Sequence, residues 1–522
     1  MPRQRILGIA VAIVIASTLI TPFTRELFVG DETKYSKVIR EMHATGTWFL
    51  PTLEGQPFTH KPPLHFWIID LLTVPFGVYS VWPYVIPSLV TFALLLWLVR
   101  AMSAELFDST AIAAAFVCGT SVLVWGSAQS ARMDVSFTLL LTVAAWLMFR
   151  FFERDEPRAL LVAGVALGVA TLIKGPMAPV LAIVLFALEW WRRRRAPRRG
   201  YFAAAAAMIA IPLLWFVPAM VRGGGSYTHE VLQKQLANRA FGTWVHRSPP
   251  WYYIAHSPGF LFPWFLLFVV AVVALYRRHQ AAEGAKFCVS WIVAVVLPYS
   301  LISSKLDVYM MALVPPVALL IGHFVDAEAQ DAWTEWGRAA NGFMLVLLVI
   351  IGAAGVAVSP SRIKGPESAY LRLSSVRLLF IVLIAAAIVA LIVVVRTKTL
   401  LASTIALGLV PIAMFVYAAA VLMPVINEIA STRPLVAALA RQQVPGDRIA
   451  LYTAPHLWTH DMPRDLERVQ YASPADLSSA ASRPAVIVTS RGHAKEIAPV
   501  LAQYRRVAAV RMIGKWFDVY RR

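Results

Sequence analysis

Carboxylates and cations stand between the long apolar runs of this sequence and at their ends. A carboxylate could accept a proton as a general base, and lysine or arginine could bind a phosphate. Ionisable residues beside long apolar runs are costly unless they are paired or face a cavity, so each is a candidate site residue. These candidates are Asp31, Glu32, Lys61, Arg132, Asp134, Lys174, Arg239, His246, Arg247, Lys305 and Asp307.

Two of these acids lie at the start of a predicted amphipathic helix over residues 33–44. Two interpretations of them stay open. In the first, Asp31 caps the helix and Glu32 interacts with the helix dipole. In the second, Asp31 is a general base with Glu32 beside it.

Lys61 precedes Pro62 and Pro63, which restrict the backbone to an extended segment and would hold the ammonium group in place. A fixed ammonium group suits phosphate binding. The alternative is a lysine that extends to the membrane interface for solvation alone.

The composition identifies the elements that must position these residues. The chain has 522 residues, of which 59% are hydrophobic and only 15% charged, and its mean hydropathy is +0.65. These values indicate an integral membrane protein. The apolar runs extend over the first 425 residues, which excludes a cleaved signal peptide on a secreted domain, and they are too long for barrel strands.

Thirteen apolar runs have about the length needed to span a bilayer as helices. A further run over 64–79 contains Asp70 and is broken by Pro75 and Gly77, so we predict a re-entrant or interfacial segment there. The thirteen runs are 6–23, 81–99, 111–127, 135–152, 159–173, 177–191, 201–221, 260–276, 287–302, 308–324, 340–358, 376–395 and 400–423.

The net charge of +19 comes largely from short clusters between the apolar runs. This arrangement indicates membrane topology signals, and no nucleic-acid partner is expected. The arginines of 192–199 should be cytoplasmic, together with the N-terminus. An odd number of spans then places the C-terminus outside.

We predict two domains. Residues 1–425 form the transmembrane domain, with outer loops at 24–80 and 222–259, and residues 426–522 form a small α/β domain outside the membrane. Cys118 and Cys288 are the only cysteines and both lie in apolar runs, so a disulfide framework or a cysteine metal site is not expected.

Several motifs resemble one known family. They are 30–35 (GDETKY), 39–42 (IREM), 46–48 (GTW), 51–55 (PTLEG), 61–64 (KPPL), 132–134 (RMD), 171–176 (TLIKGP), 246–253 (HRSPPWYY), 263–264 (PW) and 303–309 (SSKLDVY). In order and spacing they are similar to the bacterial aminoarabinose transferases and protein O-mannosyltransferases. That family consists of GT-C-type integral membrane glycosyltransferases.

The resemblance implies a GT-C-like fold in the bacterial inner membrane, with the C-terminal domain in the periplasm. It also implies a sugar donor carried on a polyprenyl (undecaprenyl) phosphate. The acceptor would be lipid A, another glycolipid or a protein hydroxyl at the outer face. Membrane lipids are the remaining expected partners.

The resemblance also suggests roles for residues. Its acids at the reaction centre correspond to Asp31, with Glu32 beside it, and to Asp134 in the second loop. The expected phosphate-binding cations are Lys61, Arg239, Lys305 and Arg132, and the expected substrate contacts are Tyr35, His246 and Tyr309. One essential acid favours a single-displacement, inverting reaction, because a retaining enzyme needs a second carboxylate as nucleophile.

One position departs from the family pattern. His60 stands where the aminoarabinose transferases tend to have a glutamate before the Lys-Pro-Pro segment. A divalent metal held by His60 and His246 is one hypothesis, and a structural or hydrogen-bonding role for these histidines is the alternative.

Two other functions were weighed against sugar transfer. A transporter or flippase of polyprenyl-linked substrates would also need a cavity lined with cations, but no inverted repeat of broken spans is visible. A membrane scaffold that only presents the C-terminal domain would leave Asp31, Lys61 and Arg239 without a role.

Overall fold

The computed structural model describes most of the chain, and everything below concerns these described residues. They are 2–107, 112–194, 200–237, 248–278, 282–327, 331–358, 374–442, 448–459, 469–471, 473–479, 484–512 and 514–522.

The protein is a multi-span α-helical membrane protein, because each long apolar run satisfies its backbone hydrogen bonds within a helix. The helices are α1 (Pro2–Thr18), α2 (Thr21–Thr24), α3 (Asp31–Thr45), α4 (Leu64–Phe76), α5 (Trp82–Phe107), α6 (Ile112–Thr120), α7 (Val122–Ala128), α8 (Asp134–Arg154), α9 (Pro157–Lys174), α10 (Met177–Arg193), α11 (Tyr201–His229), α12 (Tyr252–Phe260), α13 (Phe265–Arg277), α14 (Glu283–Leu301), α15 (Val314–Asp326), α16 (Ala332–Ala357), α17 (Ser374–Thr397), α18 (Leu400–Tyr417), α19 (Met423–Ala430), α20 (Arg433–Ala440), α21 (Pro474–Ser478) and α22 (Ala498–Leu501). Short 3-10 or π segments occupy Glu230–Ala237, Asp307–Leu313, Ala418–Leu422 and Ala494–Ile497.

Among the described helices, ten are long and apolar enough to cross a membrane, or eleven if α12 and α13, which meet at 109°, form one broken span. Among the described residues this count is below the thirteen predicted runs. The run over 111–127 is divided at Ser121 into α6 and α7, and α10 has only 17 residues.

The short helix α4 agrees with the prediction that residues 64–79 do not span. It has 13 residues, which gives a length of about 20 Å against about 30 Å of hydrocarbon. Its N-terminal end immediately follows the segment that carries Lys61.

The C-terminal region contains a five-stranded mixed sheet, and residues 24–80, the predicted first outer loop, contain a two-stranded hairpin. The sheet order is β4-β3-β5-β7-β6, with β3 parallel to β4 and β5, and β7 antiparallel to β5 and β6. The prediction of a small α/β region here is confirmed, although the three-residue strand β4 was not predicted. The strands are β1 (Thr52–Leu53), β2 (Gln56–Pro57), β3 (Ile449–Tyr452), β4 (Val469–Tyr471), β5 (Val486–Ser490), β6 (Arg505–Met512) and β7 (Lys515–Arg521).

The C-terminal region contacts the first outer loop directly. The backbone N–H of Val29 donates to the carbonyl of Ala430 at 2.9 Å, and the guanidinium of Arg40 donates to the carbonyl of Leu457 at 2.7 Å. These bonds attach both the segment before α3 and the body of α3 to the later part of the chain. The position of α3 therefore depends on residues that follow it by about 400 positions.

A carboxylate at the same contact should make stability depend on pH. Glu54 Oε1 lies 3.2 Å from His456 Nδ1. Burial raises the pKa of Glu54, but the His456 hydrogen bond and the Lys37 and His456 charges outweigh burial and hold that pKa below its ordinary 4.5.

A lowered folded-state pKa means that the unfolded chain binds the proton more readily. The stabilisation is present above pH 4.5 and is lost as the pH falls through the lowered pKa. We expect the thermal unfolding midpoint of wild type to fall more steeply below pH 4.5 than that of Glu54→Gln. Parallel curves for the two proteins would contradict this prediction.

Candidate functional site

Two cavities are each lined in part by residues of the segment 24–80, and the first contains two lysines. This lysine cavity has a volume of about 220 Å³ and is lined by Lys61 and Lys174. Its opposite wall is largely apolar and comes from α11, through Pro212, Leu213, Trp215 and Phe216. An apolar wall facing two ammonium groups suits a ligand with a hydrocarbon part and an anionic part.

Local sequence explains how both lysines reach this cavity. Lys61 follows the β1–β2 hairpin and precedes Pro62 and Pro63, as predicted. Lys174 is the last residue of α9, which ends because Gly175 takes a φ of 102°, a conformation that favours glycine. Both side chains therefore extend from positions at which the backbone conformation is restricted.

The second cavity, the aspartate cavity, has a volume of about 610 Å³. Asp31 and Arg132 belong to its polar wall, together with hydroxyl and amide groups near the end of α7. Apolar side chains of α18 and α19, including Phe415 and Met423, form another part of its wall. This cavity also combines a polar end with an apolar wall, and it is the larger of the two.

A chain of alternating charges connects the two cavities. The ammonium group of Lys174 donates to one oxygen of Asp134, and Arg132 Nε lies 3.5 Å from the other oxygen. Arg132 Nη2 then lies 3.7 Å from Asp31 Oδ2. The Asp134 side chain is 6% exposed and that of Asp31 is 58% exposed, so only Asp31 presents its carboxylate openly to a ligand.

Other cationic and aromatic groups surround this chain. Lys61 is close enough to interact electrostatically with Asp134. The ammonium group of Lys174 lies 5.3 Å from the ring centre of Tyr309, which stacks on Tyr299 at 5.2 Å. Three cations and two carboxylates give the group a net positive charge, which favours an anionic ligand.

The interpretation of Asp31 as the helix cap is wrong. The N-cap residue of α3 is Gly30, whose N–H donates to Thr33 Oγ1 at 3.3 Å, and Asp31 is the first helical residue. The side chain of Asp31 is directed to the aspartate cavity, where its partner is Arg132.

Glu32 has different surroundings although it is adjacent in sequence. Its side chain is buried, and its carboxylate accepts a hydrogen bond from the guanidinium of Arg25. It also accepts from the backbone N–H groups of Phe28 and Ala131, both at 2.9 Å. These contacts favour a structural role in which Glu32 fixes the start of α3, and its assignment to the reaction centre stays a prediction.

This arrangement makes a prediction for Glu32→Gln. An amide retains the shape but loses the charge that three donors share, and a hydrogen bond to a charged group contributes about 1.5–3 kcal/mol. We expect the free energy of unfolding to fall by about 1.5–3 kcal/mol, measured as a lower thermal midpoint in detergent. Unchanged stability combined with lost turnover would instead return Glu32 to the reaction centre.

Of four other predicted site residues, two are buried away from the cavities and two lie outside the described residues. Tyr35 is buried in the core, with its ring 5.4 Å from that of Phe66. Lys305 is also buried, its ammonium group donates to the carbonyl of Ile302, and burial lowers its pKa. Among the described linings, neither residue belongs to the two cavities. Arg239 and His246 lie outside the described residues.

The metal hypothesis finds no support in the described ranges, which contain no group of three His, Cys, Asp or Glu side chains able to hold a metal ion. His60 lines the lysine cavity and stacks on Phe58 at 5.4 Å. Its proposed partner, His246, lies outside these ranges.

Sequence reasoning missed two features of the site. It noted Lys174 as a loop cation but assigned it no role, whereas the structure pairs it with Asp134. It also treated α11 as an ordinary span, although Trp215 is 7% exposed and its indole N–H donates to the Phe49 carbonyl at 2.8 Å. Pro212 and Pro218 within α11 were the available signals that this helix is not an ordinary span.

The sequence is similar to that of known membrane glycosyltransferases. Residues 60–216 match the model for dolichyl-phosphate-mannose-protein mannosyltransferases. The undecaprenyl phosphate-α-4-amino-4-deoxy-L-arabinose arabinosyl transferase of Edwardsiella ictaluri is 26% identical over 350 residues, which cover 64% of this chain and 61% of that protein. Arabinosyl transferase 1 of the same kind from Pseudomonas fluorescens (strain Pf0-1) is 27% identical over 309 residues, 57% of this chain and 54% of the relative. The match thus spans less than two thirds of the length of each relative.

Solved structures share the fold over nearly the whole chain. ArnT from Cupriavidus metallidurans in the apo state gives a TM-score of 0.76 at 19% identity, covering 99% of this chain and 98% of that one. The same protein bound to undecaprenyl phosphate gives 0.75 at 18% identity, covering 98% and 97%. The GT-C-like fold is confirmed, and so is the resemblance to the aminoarabinose transferase and protein O-mannosyltransferase family.

Proposed function

We propose that this chain, given its confirmed resemblance to GT-C-type membrane glycosyltransferases, transfers a sugar from a polyprenyl-phosphate donor to an acceptor. One observation carries the proposal: the charge chain from Lys174 through Asp134 and Arg132 to Asp31 joins two separate cavities. A transferase needs two substrate sites that meet at the reacting atoms. A site for a single ligand would not need the second cavity.

The lysine cavity is assigned to the donor. Lys61 and Lys174 would bind its phosphate, and the apolar wall of α11 would contact the first part of the prenyl chain. Stabilising the phosphate matters for rate, because negative charge develops on it as the bond to the sugar breaks. Arg239 is retained as a further phosphate ligand from its motif.

The aspartate cavity is assigned to the acceptor, and Asp31 to the role of general base. The acceptor oxygen forms a bond to the anomeric carbon while the bond from that carbon to the donor phosphate oxygen breaks. The acceptor proton passes to Asp31, and the phosphate leaves with the bonding electron pair. One displacement with one base inverts the anomeric carbon.

The identity of the relatives suggests the first donor to test. The proposal predicts that the purified chain in lipid nanodiscs releases polyprenyl phosphate from undecaprenyl phosphate-α-4-amino-4-deoxy-L-arabinose when envelope lipid or glycoprotein extract is added. The labelled sugar should then appear on one extract component by mass spectrometry. Translocation of the intact donor in liposomes without cleavage would favour the transporter alternative.

We also propose that the protein lies in the bacterial inner membrane with its N-terminus in the cytoplasm and its C-terminal region in the periplasm. The arginines near residue 194 support this orientation through the positive-inside rule. Arg194→Cys should be protected from an impermeant thiol reagent in intact cells, whereas Thr453→Cys should react, since both positions are exposed. Reaction of both positions, or of neither, would exclude the odd-span topology.

A further inference from the structure

The hairpin of β6 and β7, here called the basic hairpin, concentrates positive charge. Residues 505–522 contain one acid, Asp518, and six cations. Arg505 and Arg521 are direct cross-strand partners. The guanidinium of Arg521 donates to the carbonyl of Gln442, whereas Arg505 is exposed. The cations are Arg505, Arg506, Arg511, Lys515, Arg521 and Arg522.

The single acid cannot neutralise the hairpin. Asp518 is buried and pairs with Arg491 at 2.7 Å and, at 3.8 Å, with Arg506. Within the part of the chain that the structure describes, Arg505 and Arg511 form no ion pair, and both are exposed. Two cations thus remain available on the edge strand, Arg505 and Arg511, one on each of its faces.

Protection of the sheet edge is the simpler explanation of these charges. β6 is an edge strand, and charged side chains discourage pairing with another chain. Edge protection does not explain Trp516, which lies on β7 opposite Arg511, is 42% exposed and lies under the Arg491 guanidinium at 4.8 Å. Exposed tryptophan beside arginine is typical of surfaces at the membrane–water interface.

The location of β6 indicates which anion is within reach. β6 packs beside α19 and α20. The long helix Leu400–Ala430, which ends with α19, has 31 residues, and its length of about 46 Å exceeds the hydrocarbon thickness of about 30 Å. Its last turns therefore lie at headgroup level, and β6 lies beside them.

We propose that the basic hairpin binds the anionic headgroups of membrane lipids at the surface where the last long helix ends. The binding would hold the C-terminal sheet against the bilayer. The proposal is independent of the transfer reaction and of which membrane face carries the sheet.

A depth measurement tests this contact. Cys118 and Cys288 are buried, so Ala509→Cys on β6 gives an exposed position for a fluorescent label. The full chain would be reconstituted in nanodiscs of phosphatidylcholine, with or without phosphatidylglycerol, and with a headgroup-quencher lipid at equal fraction. We expect stronger quenching in the anionic discs, and loss of that difference at high salt.

Single-charge variants make the test specific. The quenching gives the ratio of membrane-docked to undocked C-terminal sheet. Arg511→Ser should lower this ratio about fivefold, and the double variant Arg505→Ser/Arg511→Ser should lower it about 25-fold. Lys495→Ser, which removes an exposed cation from the same region, should leave the ratio unchanged, and Arg511→Lys should retain it. Thermal melting of each variant checks folding.

Three outcomes would overturn the proposal. The first is equal quenching in neutral and anionic discs. The second is an equal loss for Lys495→Ser and Arg511→Ser. The third is that inorganic polyphosphate, but not phosphatidylglycerol, protects the label from quenching. That result would identify a soluble polyanion as the partner.

Discussion

Asp31→Asn should lower sugar-transfer turnover about 10²-fold or more, the usual scale for removing a general base. An amide cannot accept a proton at any accessible pH, and it also lacks the negative charge that would orient an acceptor or stabilise a positive sugar. Asp31 is the one acid of the charge chain that is largely exposed to a cavity, so the charge chain offers no second exposed carboxylate.

The same substitution should leave folding nearly unchanged, which separates chemistry from structure. Asp31 does not cap α3, and its pair with Arg132 is exposed at 3.7 Å, so the free energy of unfolding should change by less than about 1 kcal/mol. Transfer by purified variant and wild type, with thermal midpoints recorded on both, provides the measurement. Near-wild-type turnover would exclude Asp31 as the base and make Glu32 or Asp134 the next candidate.

Lys61→Ala should lower kcat/KM for the polyprenyl-phosphate donor about 30-fold or more. Truncating one member of a buried charged contact costs about 2 kcal/mol or more, and Lys61 lies in the lysine cavity where the phosphate is placed. Lys61→Arg should recover part of the loss, because the charge returns with different geometry. The acceptor KM should stay near the wild-type value.

Lys37→Ala is the matched control for this experiment. Lys37 is a cation of the same loop, pairs with Glu41 at 3.7 Å and lines neither cavity among the described residues. Its loss should leave donor use near the wild-type value, because its ammonium group lies outside the proposed phosphate site. A similar loss for Lys37→Ala and Lys61→Ala would indicate general electrostatic attraction without a phosphate site.

Sequence reasoning succeeded where one local rule decided the structure. Hydrophobic periodicity placed a helix at 33–44, and the structure has it at Asp31–Thr45. The end of the long apolar runs near residue 425 predicted a small α/β region after it, and the structure has a five-stranded sheet there. The cost of leaving charges unpaired beside apolar runs identified Asp31, Lys61, Arg132 and Asp134 as candidates.

Pairing between distant residues could not be predicted. Lys174 and Asp134 are 40 positions apart and on different helices, so their contact depends on the packing of α8 against α9. Asp31 and Glu32 show the same limit at short range. Successive helical residues point about 100° apart, so the Asp31 carboxylate is largely exposed, whereas that of Glu32, which also lines the aspartate cavity, is buried against Arg25.

The hydrogen bonds from Val29 to Ala430 and from Arg40 to Leu457 have a consequence for biosynthesis. Ribosomes add about 5–20 residues per second, so about 20–80 s separate the insertion of the first outer loop from the synthesis of its late partners. During that interval α3 lacks these two bonds, and the surface around Asp31 is incomplete. A nascent chain would therefore gain an ordered reaction centre only near the end of translation, and a premature stop before residue 430 would leave a membrane-inserted but inactive product.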